Sequence, residues 1–230
     1  MSITTPPPTD KELLYPDSDG QPMADNTLQF EWIMTIKGNL DALFAERPDV
    51  FVAGDLLWYP VEGKPRIRRA PDAMVAFGRP KGYRGSYIQW REDGIAPQVV
   101  FEVLSPGNTL LEMAHKFDFY VTYGVEEYYL YDPERNELSG WLRHKDQLRP
   151  IDPLDGWVSP RIDIRFALGP DTLQIFYPDG RQFVTFTELS QQVERAEQGR
   201  QEAEQARQEA ERRAERLTDQ LRALGIDPAG

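Results

Sequence analysis

Two acidic residues, Asp72 and Glu102, fall beside or within short apolar segments of the kind that form buried β-strands. Asp72 precedes the segment Ala73–Phe77, and Glu102 interrupts the segment Val99–Leu104. A carboxylate in a buried strand is unfavourable unless a proton, a cation or a metal ion neutralises its charge. Two such acids therefore indicate a site for a divalent metal ion.

A run of basic residues surrounds Asp72. Residues 64–91 contain eight lysines and arginines against one acid, which gives this window +7 and, since the chain totals -12, leaves -19 for the rest. Clusters of Lys and Arg bind nucleic acids by neutralising phosphates. The run fits a phosphate-binding loop, and it fits equally well a set of solvated charges on an acidic protein. The candidate nucleic-acid-binding residues in it are Arg69, Arg79, Lys81 and Arg84.

The composition excludes several classes of protein. A chain of 230 residues with 40% hydrophobic content can form one ordinary core and carry an additional segment. Cysteine is absent, which excludes disulfides and thiolate metal sites and is consistent with a reducing compartment. No segment approaches the roughly 20 apolar residues of a membrane helix, and the first residues lack a signal-peptide pattern. We therefore expect a soluble, cytoplasmic protein.

The elements that must position the two acids form a mixed α/β pattern. Apolar residues at helical spacing predict a first helix that is capped by Asp25 or Asn26 and ends before Pro48, and a second from about Asn108 to Tyr123. Strands are predicted around residues 50–58, 72–77, 98–104, 127–131, 138–143, 162–167, 173–176 and 183–186. This mixture favours an α/β (α+β) fold with a mixed central sheet flanked by helices over a doubly wound parallel sheet.

The two ends of the chain differ in composition from the globular domain predicted for residues 23–187. Residues 1–22 are rich in proline and are predicted to be a disordered tail. Residues 188–225 are dominated by Glu, Arg, Gln and Ala with a seven-residue repeat, which predicts a C-terminal coiled-coil helix before a short tail, 226–230. Its seam contains Arg200, Arg207 and several alanines, so a homodimer through residues 189–224 and a solitary charged helix both fit the pattern.

Longer motifs around both acids resemble the Uma-two family of putative restriction endonucleases, which is placed in the PD-(D/E)xK nuclease superfamily. The resemblance covers approximately residues 25–180. It rests on the following motifs of this sequence taken together: Pro71-Asp72, Phe77–Tyr87, Pro97–Asn108, Lys116, Tyr120, Tyr123–Tyr128 and Tyr131–Pro133.

The resemblance implies a restriction-endonuclease-like fold and a metal-dependent endonuclease that acts on DNA. Asp72 and Glu102 match the two acids of the superfamily motif, which are expected to hold Mg²⁺ or Mn²⁺. The backbone carbonyl of Val103 would supply a further oxygen ligand. Nucleases of this superfamily often carry an extra acid on the first helix, and Glu31 is the candidate for that position. An exposed glutamate with no role at the site fits Glu31 equally well.

The superfamily motif has a lysine two residues after its second acid, where this chain has Leu104. The family pattern offers Lys116 on the following helix instead, with the role of assisting the attacking water. Glu112, Lys116 and Tyr120 are four residues apart and share one helix face, so the alternative is a surface ion pair between Lys116 and Glu112. The strand acids nearby favour the role at the site. Glu112, Tyr120 and Asp55 are candidate supporting residues.

Three functions fit these observations. The first is a magnesium-dependent DNA endonuclease that dimerises through its C-terminal helix. The second is a degenerate nuclease fold that binds nucleic acid without cutting it, and the third is an interaction protein that recruits a partner through the heptad helix. The strand acids, the basic run and the family motifs together favour the first.

Overall fold

The structure, a computed structural model, describes residues 15–18, 20 and 23–223. The chain divides into two units, Met1–Phe183 and Val184–Gly230. Most of the predicted N-terminal tail, residues 1–14, 19, 21 and 22, and the predicted C-terminal tail lie outside the described residues. Within the described part of the chain, no helix is both long and apolar enough to cross a membrane.

The described residues contain ten strands and three α-helices, and this combination confirms the predicted mixed α/β fold. The strands are β1 (Val50–Ala53), β2 (Trp58–Tyr59), β3 (Ala73–Phe77), β4 (Tyr87–Ile88), β5 (Val99–Val103), β6 (Glu127–Asp132), β7 (Glu137–His144), β8 (Gln147–Pro150), β9 (Arg165–Leu168) and β10 (Leu173–Phe176). The helices are α1 (Thr27–Leu43), α2 (Leu110–Tyr123) and α3 (Phe186–Ala223).

A six-stranded mixed sheet is the centre of the first unit. Its strand order is β1-β3-β5-β6-β7-β8, in which β5 and β6 run parallel and the other neighbours run antiparallel. Parallel neighbours need a crossover connection, and α2 supplies it between β5 and β6. Two small sheets, parallel β2-β4 and antiparallel β9-β10, accompany the central one.

Each helix begins at a residue whose side chain accepts a backbone hydrogen bond. Asn26 accepts from the Gln29 amide at 2.8 Å and begins α1, while Thr109 accepts from the Glu112 amide at 3.2 Å and begins α2. In the second unit, Thr185 and Glu188 form a reciprocal capping box at the start of α3. These local bonds fix where α2 starts, and therefore which of its residues lie over β5.

The central sheet separates two hydrophobic cores. On β5, Phe101 and Val103 belong to the core that contains residues of α1, whereas Val100 packs in a second core with Phe119 and Tyr120 of α2. Side chains alternate between faces along a strand, so Glu102 shares the α2 face with Val100. The fold therefore brings α2 over the acid of β5.

The structure differs from the sequence predictions at a few elements. The strand predicted at residues 183–186 is absent: Gln182 forms only an isolated bridge with Phe176, and Phe186 already begins α3. The strand predicted at residues 50–58 is split in two at Asp55, which adopts a left-handed φ of 47°. Tyr15, from the segment predicted as a tail, packs edge-on against Tyr59 and is 7% exposed.

Substitution by alanine should change the stability of the protein in opposite directions at two glycines, Gly124 and Gly38. Gly124 ends α2 in the left-handed region with φ 96°, so Gly124→Ala should destabilise the protein by more than about 1 kcal/mol. Gly38 lies inside α1 with open space around it, so Gly38→Ala should stabilise the protein by up to about 1 kcal/mol. Urea denaturation of both variants measures the two changes, and equal signs would contradict the assigned conformations.

Candidate active site

The register of β3 against β5 brings the two strand acids together. Ala73 pairs with Phe101 in this antiparallel ladder, so the next position places Asp72 opposite Glu102. Residues directly opposite share one face of the sheet, with Cβ atoms about 4.5–5.5 Å apart. Asp72 Oδ2 also accepts a hydrogen bond from the Val103 amide at 2.6 Å, which anchors its carboxylate at the end of β5. Asp72 is 8% exposed and Glu102 is 2% exposed.

Helix α2 supplies the hydrogen-bond partners of Glu102. Lys116 Nζ donates to Glu102 Oε2 at 2.7 Å, and the hydroxyl of Tyr120 donates to Glu102 Oε1. Lys116 and Tyr120 are four residues apart, so they reach the same carboxylate from one helix face. The alternative of a surface ion pair between Lys116 and Glu112 is therefore replaced by a buried pair with Glu102.

Burial and neighbouring charges shift the pKa values of Asp72, Lys116 and Tyr120. Burial raises the pKa of Asp72 well above its ordinary value, and the charge of Glu102 raises it further, while the Lys116 charge opposes both effects. Burial lowers the pKa of Lys116, but the charges of Glu102 and Asp72 outweigh burial and leave it raised. Burial, followed by the charge of Glu102, raises the pKa of Tyr120 well above its ordinary value. One ammonium thus faces two carboxylates, and the site favours additional positive charge.

Asp72 and Lys116 line a cavity of about 840 Å³. Glu102 is bonded to Lys116 but does not itself line this cavity. Of the other candidates from the sequence, the structure also places Asp55, Glu112 and Arg69 in the cavity wall. The Asp55 amide donates to the Pro71 carbonyl at 3.0 Å, which places Asp55 next to the segment that carries Asp72.

Three of the four predicted nucleic-acid-binding residues lie outside the lining of this cavity. Arg79 pairs with Asp93 at 2.6 Å, and Arg84 pairs with Glu92 at 2.6 Å. Lys81 donates to backbone carbonyls just after the end of α1, one of them at 2.8 Å. Each of these three cations has a partner within the protein, and their role in binding nucleic acid stays a prediction.

The structure does not bring Glu31, the candidate ligand on α1, into the cavity wall. Glu31 is exposed and lies outside the cavity lining, whereas Gln29 is 6% exposed and lines the cavity. Two residues correspond to about 200° of helix rotation, so the two side chains cannot share a face. Gln29 Nε2 donates to the Val103 carbonyl at 2.8 Å. The backbone oxygen that the resemblance assigns to a metal therefore accepts a hydrogen bond from an amide in this structure.

Sequence reasoning did not single out several other residues of the cavity wall. Arg66 and Arg68 line it, although within the basic run nothing distinguishes them from the cations that form ion pairs elsewhere. Asp25 also lines it and accepts a hydrogen bond from Ser105 Oγ at 2.5 Å, while Asn26 caps α1. His115 lies one residue before Lys116 and lines the cavity as well. The arginines add positive charge beside the two acids.

The donor set of Asp72 and Glu102 fits a hard divalent cation. Among residues 15–18, 20 and 23–223, no group of three or more His, Asp and Glu side chains is arranged to hold a metal ion. Magnesium, however, is often held by only one or two carboxylates, with water and substrate phosphates completing its octahedral shell. Asp72 in the cavity wall and Glu102 opposite it supply two carboxylates for that mode of binding.

Comparison with known proteins agrees with the resemblance stated above. The sequence model of the Uma2 family, described as "Putative restriction endonuclease", matches residues 19–168. Among curated proteins, none matches the chain. Among solved structures, the chain is similar to a putative nuclease belonging to DUF820 from Anabaena variabilis ATCC 29413. The identity is 13%, the match covers 58% of this chain and 72% of the other, and the TM-score is 0.44. That likeness is too distant to inform the site.

Removal of the ammonium at Lys116 should destabilise the protein strongly. Lys116→Met leaves Glu102 buried opposite Asp72 without a counter-ion, and the loss of one partner of a buried pair costs about 3–5 kcal/mol. Adding Glu102→Gln to this variant should restore at least about 1 kcal/mol, because the unpaired charge is then removed. Urea denaturation at pH 7 measures the complete double-mutant cycle.

A matched control is Lys37→Met, which removes a lysine from a partly exposed pair with Asp41. Exposed pairs contribute about 0.2–1 kcal/mol, so this variant should lose far less stability. If Lys116→Met lost as little as the control, or if Glu102→Gln failed to rescue it, the buried ion pair would be refuted.

Proposed function

This chain belongs to the Uma2 family of putative restriction endonucleases, and from that premise we propose that it is a metal-dependent endonuclease hydrolysing phosphodiester bonds of DNA. The observation that carries the proposal is the placement of Asp72 opposite Glu102, with Lys116 bonded to Glu102 at the wall of a cavity. Three arginines line the same cavity. The arrangement combines oxygen ligands for a cation with positive charge for a phosphate.

Asp72 and Glu102 would hold Mg²⁺ or Mn²⁺. When bound, such an ion lowers the pKa of a water and stabilises charge that develops on the phosphate oxygens. Lys116 is bonded to Glu102 and lines the cavity, so its ammonium can orient the attacking water or stabilise the anion electrostatically. Tyr120 holds the other oxygen of Glu102 and fixes the orientation of that carboxylate.

Arg66, Arg68 and Arg69 are the residues that we assign to the DNA backbone. All three line the cavity, whereas Arg79 and Arg84 are held in ion pairs outside it. Guanidinium groups bind phosphate with two parallel hydrogen bonds, which orients a backbone as well as attracting it. Binding through phosphates carries no sequence information by itself.

A second candidate function, binding of nucleic acid without cleavage, is favoured by a different observation. The Val103 carbonyl accepts a hydrogen bond from Gln29, and each oxygen of Glu102 already has a partner in Lys116 or Tyr120. A site whose oxygens are satisfied by protein donors has less need of a metal. This candidate predicts binding of DNA by a protein that never cuts it.

We also propose that α3 associates with a second copy of the chain. Residues 189–224 carry the heptad repeat, and the seam residues Leu189, Val193 and Leu217 are 47%, 50% and 52% exposed in the structure. Apolar side chains at seam positions become buried when two helices pair. Sedimentation of the full chain measures this association directly.

Substitution of either strand acid should abolish cleavage of DNA. Purified protein with supercoiled plasmid and Mg²⁺ should nick or linearise the DNA, and excess chelator should stop it. Asp72→Asn and Glu102→Gln should each reduce the rate by about 100-fold or more, because a loss of about 3 kcal/mol of charge stabilisation slows a reaction by two orders of magnitude. Agarose gels with time points measure the rates.

Glu31→Gln is the matched control, because it removes an acid from α1 outside the cavity and should retain full activity. Cleavage that persists in Asp72→Asn and Glu102→Gln would indicate another site or a contaminant. Absence of cleavage in the unsubstituted protein, together with binding of DNA in Ca²⁺, would instead select the second candidate. The same assay on RNA of matched sequence separates the two substrates.

Substitution of the cavity arginines should weaken the salt dependence of DNA binding. Each phosphate contact contributes about -0.9 to the slope of log K against log salt concentration, so Arg66→Ala and Arg69→Ala should each make the slope less steep by about one contact. Arg79→Ala should leave the slope unchanged, because Arg79 is occupied by Asp93. Fluorescence anisotropy of a labelled duplex in Ca²⁺ measures the slopes, and the reverse pattern would place the DNA on the other part of the basic run.

A further inference from the structure

The seam residues of α3 vary in side-chain size and charge in a regular order along the helix. Its residues fall on two series that alternate by three and four positions. The first series contains Val193, Arg200, Arg207 and Ala214, and the second contains Ala196, Ala203, Ala210 and Leu217. In heptad terms the first series occupies the a positions and the second occupies the d positions. All eight side chains are exposed in the structure.

A parallel pair of α3 helices would place like charges in contact. Parallel dimers match each a residue with the same residue of the second helix, so Arg200 would face Arg200 and Arg207 would face Arg207. The flanking g positions of a parallel pair could supply acids to neutralise them. Here those positions hold Gly199 and Ala206, which carry no charge. Two layers of the parallel pair would therefore set guanidinium groups against each other, with only the acids of their own helix to neutralise them.

An antiparallel pair matches a residues with d residues and removes this conflict. With the two helices aligned so that facing residue numbers add to 410, every arginine meets an alanine. The facing pairs are Val193 with the partner's Leu217, Ala196 with the partner's Ala214, Arg200 with the partner's Ala210, and Ala203 with the partner's Arg207. Long side chains lie against short ones in the middle, and apolar residues meet at both ends.

The same register brings each seam arginine to an acid of the second copy. The residue after each facing alanine is a glutamate, so Arg207 lies beside the partner's Glu204, and Arg200 lies beside the partner's Glu211. Within one helix, Arg207 already pairs with Glu204 at 3.3 Å and Glu211 at 3.5 Å. These are exposed contacts that can be exchanged for contacts across an interface. Charge complementarity therefore selects a second copy as the occupant of this surface, in one orientation.

We propose that α3 pairs with α3 of a second copy in antiparallel orientation, in the register that sets Arg200 opposite the partner's Ala210. This inference rests on the self-association proposed above and adds its orientation. In each copy, α3 follows the first unit of the chain directly. In an antiparallel helix pair, the first units of the two copies are therefore connected to opposite ends of the pair. At about 1.5 Å per residue, the two helix starts are about 57 Å apart.

Single cysteines test the orientation, because the natural chain has none. Ala196→Cys and Ala214→Cys are made as separate full-length variants, since a disulfide requires facing positions with Cα atoms within about 7 Å. In the proposed register, neither variant alone forms a disulfide dimer under mild oxidation, whereas their equimolar mixture does. Non-reducing gels measure the cross-linked fraction.

Dimers cross-linked by each variant alone would mean a parallel pair and would overturn the orientation while leaving self-association intact. A chain that sediments as a monomer at tens of micromolar would overturn both. The control is Gln205→Cys, on the outer face of the helix, which should not cross-link by itself or with either variant. A disulfide formed by Cys at position 205 would mean that the disulfides at positions 196 and 214 arise from random collision. None of these outcomes depends on cleavage of DNA.

Discussion

The whole site depends on one unfavourable contact, two carboxylates set opposite each other at the buried ends of neighbouring strands. The antiparallel register of β3 and β5 imposes this contact, and burial increases its cost. The parallel pairing of β5 with β6 then requires a crossover, and the crossover is α2. The same helix carries Lys116 and Tyr120 to Glu102. The topology that connects the sheet therefore also delivers the counter-ion that makes the acid pair tolerable.

Burial of a strand acid does not by itself identify a functional site, as Glu127 shows. Glu127 begins β6, next to the strand that carries Glu102, and it is 0% exposed. Burial raises the pKa of Glu127, but hydrogen bonds from Ser159, Tyr129 and the Arg161 amide oppose that shift. Its carboxylate is satisfied by the fold and lies outside the cavity lining. What distinguishes the pair on β3 and β5 is the ammonium beside an open cavity.

Residue spacing in the sequence predicts those features of the site in which both side chains lie on the same helix. Lys116 and Tyr120 share a helix face because they are four residues apart, and the structure shows both on the same carboxylate. The position of Gln29 was not predictable in this way. Helix α1 has apolar residues on both its exposed and its buried side, so the sequence pattern does not identify the buried face. The structure therefore has Gln29 in the cavity wall, and not Glu31. In the basic run, Arg79 and Arg84 pair with Asp93 and Glu92, which lie just after residue 91. Such pairing depends on how the loop folds and has no local signal in the sequence.

The negative total charge does not exclude a polyanionic substrate, because charges beyond about 8–10 Å are largely screened at physiological salt. The net charge of the residues around the cavity is therefore the quantity that bears on phosphate binding. The charged residues in its wall are Arg66, Arg68, Arg69 and Lys116 against Asp25, Asp55, Asp72 and Glu112. These cancel, and Glu102 behind Lys116 leaves the group at -1. A divalent cation on the two strand acids would change that balance to +1. A cation bound at the proposed site would therefore make the binding of phosphate in this cavity more favourable.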